Sequence, residues 1–203
     1  MIDRICSKLT EIIKRNVDGI SEEKAQIINY SLNVLLFDFF VYAIVFLIGA
    51  YFHVLTLTIV SILVSGILRI SAGGAHKNTR TFCLLLILLS IFGCIALAYN
   101  INLHSFYVGM VVYCIEVLIV HAYAPADTVE KPIVSQKHKL WQKIISMVEV
   151  TLLAVCTIPL WNVSQTLYNT ILLSTLLPIF SITPIGYRIL GCKRSCDPTL
   201  DIN

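Results

Sequence analysis

The stretch R69-I-S-A-G-G-A-H-K-N-T-R-T-F-C83 is the one long polar interruption in the first two-thirds of an apolar chain. Its reading decides the fold. The residues before it, about 54–70, and after it, about 82–99, are each apolar for roughly the length that crosses a bilayer core. A charged run containing Gly73 and Gly74 between two such segments is a turn at a membrane edge. It is not a linker between soluble domains. Three of its residues, Arg69, Lys77 and Arg80, are cationic and none is acidic.

Composition agrees. Of 203 residues, 57% are hydrophobic and 13% charged, against roughly 25% charged in a soluble domain. Too few polar residues are present to coat a globule, so the expected fold is an all-α integral membrane protein. Six apolar segments of about 17 residues or more can be marked, at about 32–52, 54–70, 82–99, 102–121, 144–161 and 167–190. No short apolar segment with a small-residue cleavage site follows Met1, so no removed signal peptide is expected.

The fifteen Lys and Arg residues fall into four groups. Arg4, Lys8, Lys14, Arg15 and Lys24 precede the first span; Arg69, Lys77 and Arg80 lie between the second and third. Lys131, Lys137, Lys139 and Lys143 lie between the fourth and fifth, and Arg188, Lys193 and Arg194 close the sixth. The three opposite connections have none. Because Lys and Arg are retained on the cytoplasmic side, both termini and the 69–83 turn are expected there. Residues 1–30 read as a separate element: Ile2, Ile5, Leu9, Ile12, Ile13, Val17 and Ile20 recur at helical spacing among Lys and Glu. That is a helix lying in the headgroup plane, followed by a six-span domain over 31–203.

Seven scattered cysteines do not make a disulfide framework in a reducing cytoplasm. Cys94, Cys114 and Cys156 fall inside spans and read as small hydrophobes. Cys192 and Cys196 lack the spacing and partners of a metal finger. Only Cys83 has a histidine, His76, close in sequence on the same face. On one continuous helix those residues would lie about 10.5 Å apart along the axis, whereas a nucleophile and its base need about 2.6–3.2 Å. The glycines resolve this, since Gly73 and Gly74 allow backbone angles closed to other residues and the chain can break and fold His76 back. Asn78, Thr79 or Thr81 then caps the third span. Cys83 falls near that helix's first turn, where the positive dipole end, Lys77 and Arg80 favour the thiolate.

At these residues the sequence resembles a known family. G73-G-A-H-K-N-T-R-T-F-C83 is similar to the signature of the accessory gene regulator B (AgrB) family of membrane cysteine endopeptidases. Y123-A-P-A-D-T-V-E-K-P-I133 is similar to its second marker, and the length, six spans and amphipathic start also match. The resemblance implies His76 and Cys83 as the catalytic pair. It also implies an AgrD-like pro-peptide as substrate, whose charged C-terminal tail is removed and whose retained part closes into a thiolactone or lactone. It places the chain in the cell membrane with its active site at the cytoplasmic face. A homodimer is left open. No cofactor, metal or nucleic acid is expected.

The chemistry is consistent with the residues. A Cys83 thiolate attacks a peptide carbonyl, His76 acts as base and then acid, and a thioester forms. Water must be excluded for a ring to close instead, and the basic loops would attract an acidic tail. Glu116, inside the fourth span, carries a functional presumption. Three roles stay open to it: orienting His76, pairing with Arg69, or packing in neutral form against a neighbouring helix. Asp38 and Glu149 lie closer to headgroups and read as structural, Asp127 and Thr128 as turn residues after Pro125. Pro178 and Pro184 are expected to kink the sixth span. The competing reading is a peptide exporter or other membrane transporter without covalent chemistry. Transporters, however, tend to pair broken helices with several midplane polar groups, and here the polar break is single.

Overall fold

A computed structural model describes residues 2–17, 21–74, 80–101, 106–127 and 135–192. Among them every regular element is a helix. The chain forms two compact units, residues 1–53 and 54–203.

The first unit holds α1 (Ile2–Asn16) and α2 (Glu22–Tyr51). Ser21 caps α2 by accepting the Lys24 N–H at 3.3 Å, and Glu22 and Glu23 occupy its positively polarised first turn. These signals start the helix ten residues before the apolar run begins at residue 32. The amphipathic stretch expected over 1–30 thus comprises α1 and the first turns of α2. The two helices pack through Thr10, whose hydroxyl meets Asn29 Oδ1 at 3.5 Å, and Lys14 pairs with Glu22. Cys6 and Thr10 are buried, while Ile5, Leu9 and Ile12 stay exposed.

The second unit contains α3 (Leu55–Ala72), α4 (Arg80–Asn100), α5 (Phe106–Tyr123) and α6 (Gln136–Thr157). It continues with the short α7 (Leu160–Val163), α8 (Gln165–Ser181) and α9 (Pro184–Leu190). Its centre is α8, which touches α3, α4, α5, α6, α7 and α9. Packing against six other helices, which leaves Leu176, Leu177 and Phe180 as its exposed large apolar residues, explains why α8 carries no single apolar stripe. Its small hydroxyl residues let neighbours approach and bond across helices. Ser174 meets Ser61 of α3 at 2.8 Å, and Asn169 donates to the carbonyls of Ala98 and Ile101 at 3.3 and 2.8 Å.

Around its apolar core the unit buries polar groups and turns large apolar side chains outward. Glu116, Asn169, Ser174 and Thr175 are buried, while Leu89, Leu118, Leu152 and Val155 face outward. Among the described residues three helices, α2, α3 and α6, are long and apolar enough to cross a membrane. The pair α8 and α9 passes the same test together but bends by 78°. Shorter apolar stretches, Leu84–Asn100 and Tyr107–Tyr123, lie in α4 and α5.

The sixth apolar segment is therefore two helices. The break falls at Thr183–Pro184, where Pro184 has no N–H to continue α8 and its ring keeps Thr183 extended. Thr183 then caps α9, accepting the Gly186 N–H at 3.2 Å. Pro178 lies inside α8, which continues to Ser181.

Candidate active site

α3 ends at Ala72 and the chain turns through two residues with positive φ, Gly73 (φ 74°) and Gly74 (φ 135°). Side-chain-bearing residues rarely adopt such angles. At Gly73 space forbids a side chain as well, and at Gly74 a neighbouring hydroxyl would have to move. A Cβ on Gly73 would strike the carbonyl oxygen of Ala126, and one on Gly74 would strike Ser181 Oγ.

What crowds Gly73 also holds it. Residues 124–127, directly after α5, run beside it as a short strap. Ala126 N–H donates to the Ala72 carbonyl at 2.8 Å, and Gly74 N–H donates to the Ala126 carbonyl at 3.1 Å, a parallel bridge between Gly73 and Ala126. The Ala124–Pro125 peptide is cis. The strap is anchored from its far side by Tyr187 of α9, whose hydroxyl donates to the Asp127 carbonyl at 2.7 Å. Asp127 is buried, and its carboxylate lies 3.7 Å from Lys139 Nζ of α6. Two residues before Gly73, Ser71 bonds Glu149 of α6.

His76 and Lys77 lie outside the described residues, as do the side chains of Arg80 and Cys83. The backbone of the last two opens α4, with Arg80 its first residue and Cys83 its fourth. Arg69 stands in the last turn of α3, partly buried. Glu116 is 1% exposed. Its Oε1 is bonded to Thr175 Oγ1 at 2.6 Å, while its Oε2 has no partner among the described residues. It makes no ion pair with Arg69. Among the described residues no group of three or more His, Cys, Asp or Glu could hold a metal ion.

Sequence reasoning treated Asp127 as a turn residue and did not single out Tyr187, Lys139 or Ser181. The only local signal was the Y123–I133 run itself. Which helix it meets depends on packing.

The family model described as Accessory gene regulator B matches residues 6–182. A protein of Clostridium perfringens (strain SM101), named as AgrB-like, is 27% identical over 94% of this chain and 95% of its own length. An AgrB-like protein of Clostridium acetobutylicum is 28% identical over 92% of this chain and 90% of its own. No solved structure matches the chain. Two motifs that resembled the family thus begin in segments bonded to each other where α3 and α5 end, within the matched region. The chain belongs to the accessory gene regulator B family, which associates it with accessory gene regulator quorum-sensing peptide processing.

Proposed function

We propose that the protein is a cysteine endopeptidase of the cell membrane. It removes the C-terminal tail of an AgrD-like pro-peptide at the cytoplasmic face and promotes closure of the remainder into a thiolactone or lactone. The Cys83 thiolate attacks the carbonyl at the scissile bond while His76 holds the thiol proton. Collapse of the tetrahedral species expels the tail's amine, to which His76 returns that proton. A thioester on Cys83 remains. The peptide's own thiol or hydroxyl then attacks it, His76 again moving the proton, and Cys83 is released as the ring closes. A thioester passes to a thiolactone with little change in bond type.

The observation that carries this reading is the clamp of Gly73 and Gly74 against Ala126. It ends α3 abruptly and starts the 75–79 connection from a fixed point, with Cys83 early in the next helix. A loop with one rigid root is a frame in which a base can meet a nucleophile that helical spacing would keep apart. In this reading α4 and α5 also cross the bilayer, giving six spans with both termini cytoplasmic, in accord with the one-sided distribution of Lys and Arg. Residues 1–30 provide the membrane-surface element that lies beside the substrate's own amphipathic leader. Arg69, Lys77 and Arg80 supply positive charge toward an acidic tail. Of the roles open to Glu116, its bond to Thr175 of α8 favours packing in neutral form against that helix over orienting His76.

The test is reconstitution into liposomes with a synthetic pro-peptide. Cys83→Ser and His76→Ala should each abolish tail release, whereas Cys94→Ser and Cys156→Ser should not. Hydroxylamine should intercept the wild-type thioester and yield the linear hydroxamate in place of the ring. Full cleavage by folded Cys83→Ser protein would refute the nucleophile assignment.

A further inference from the structure

Beside the strap, on the side away from Gly73, lies an open cleft of about 420 Å³ between the end of α5 and the first turns of α6. Ala122, Tyr123 and Pro125 form one wall; Lys139, Leu140 and Lys143 form the other, with Asp127 between. Lys139 and Lys143 stand four apart on α6, about 6 Å along the axis, so both ammoniums can bracket one tetrahedral anion. Lys139 is already within 3.7 Å of Asp127. Lys143 is partly buried and has no hydrogen-bond or ion-pair partner among the described residues. Among the described lining residues two ammoniums stand against one carboxylate, an excess of one positive charge with room for an anion.

From this cleft we infer a binding site for the headgroup of an anionic glycerophospholipid, its phosphodiester held by Lys143 and Lys139. The surroundings favour a lipid over an acidic peptide. Leu118 of α5 and Leu140 and Ile144 of α6 are exposed beside the cleft, an apolar surface along which acyl chains can lie while the phosphate reaches the lysines. Basic pockets between membrane helices near the cytoplasmic side are where such headgroups bind. The charge also matches, since a phosphodiester carries one negative charge. Because the bound phosphate competes with Asp127 for Lys139, occupancy acts on the strap that holds Gly73 and Gly74. The lipid therefore reaches the loop carrying His76 without touching it.

The test uses the full-length protein in mild detergent with no peptide present, so its outcome is independent of the peptidase reading. Native mass spectrometry should show retained phosphatidylglycerol in preference to phosphatidylcholine of the same chains. Lys143→Gln should lower apparent affinity for phosphatidylglycerol about fivefold, the effect of one lysine near an anionic surface, and Lys143→Arg should restore it. Lys137→Gln, on the same helix but outside the cleft lining, should bind as wild type, and excess inorganic phosphate should not displace the lipid. Equal losses from Lys137→Gln and Lys143→Gln would reduce the effect to general surface charge and overturn the site. So would full displacement by inorganic phosphate. Unchanged phosphatidylglycerol binding by Lys143→Gln, with loss of binding to an oligoglutamate peptide, would make the cleft a peptide subsite instead.

Discussion

The peptide of Ala126 is bonded on both sides to the end of α3, donating to Ala72 at 2.8 Å and accepting from Gly74 at 3.1 Å. That one residue joins the exit of α5 to Gly74, the residue from which the segment containing His76 departs. The neighbouring side chains reinforce it, Tyr187 from α9 and Lys139 from α6. Motion at the strap is thus motion at the loop's origin.

Substitutions at Gly73, just past the end of α3, and at Gly66, inside it, should separate the strap from the helix. Gly73→Ala must accommodate both a positive φ and the Ala126 carbonyl, a strain of about 1–3 kcal/mol. We expect a lower unfolding temperature and at least a tenfold loss of peptide processing in liposomes. Gly66, in the same helix, has open space where a Cβ would go, and Ala there should stabilise by up to about 1 kcal/mol. Its processing rate should stay at the wild-type level. Equal activity of the two variants would dismiss the strap as a determinant of the site.

Glu116 is expected to tolerate an amide. Thr175 Oγ1 lies 2.6 Å from both Glu116 Oε1 and Leu172 O, and one hydroxyl proton cannot serve both acceptors. A donor on the Glu116 side satisfies the geometry, and a glutamine supplies one. Glu116→Gln should therefore process peptide within about twofold of wild type, while Glu116→Ala and Thr175→Val should each destabilise by about 1–3 kcal/mol through a broken buried bond. A folded Glu116→Gln protein with a tenfold or greater fall in turnover would assign the orienting role toward His76 to this carboxylate.

Orientation can be read from thiol accessibility. With the basic ends cytoplasmic, a membrane-impermeant maleimide should label Cys83 in inverted vesicles and in permeabilised cells, and should leave it untouched from outside intact cells. Outside labelling would reverse the topology and, with it, the cytoplasmic location of processing.

The sequence by itself determined the features that depend on local chemistry. The apolar segments, the one-sided Lys and Arg residues, the break at Gly73–Gly74 and the amphipathic period of α1 are all short-range properties, governed by transfer to lipid, by glycine's freedom and by burial of one helix face. The bend at Pro184 belongs with them, because a missing N–H ends a helix wherever it falls. Tertiary structure alone decided which partners meet. Nothing near Gly73 indicates that Ala126 lies against it, and nothing near Gly74 indicates Ser181. Thr175 looks like any hydroxyl in an apolar run until α8 is placed at the centre and Glu116 is found beside it. A helix packed against six others carries no single stripe to announce its neighbours. Those pairings come from the choice among several apolar surfaces, which packing makes and periodicity does not encode.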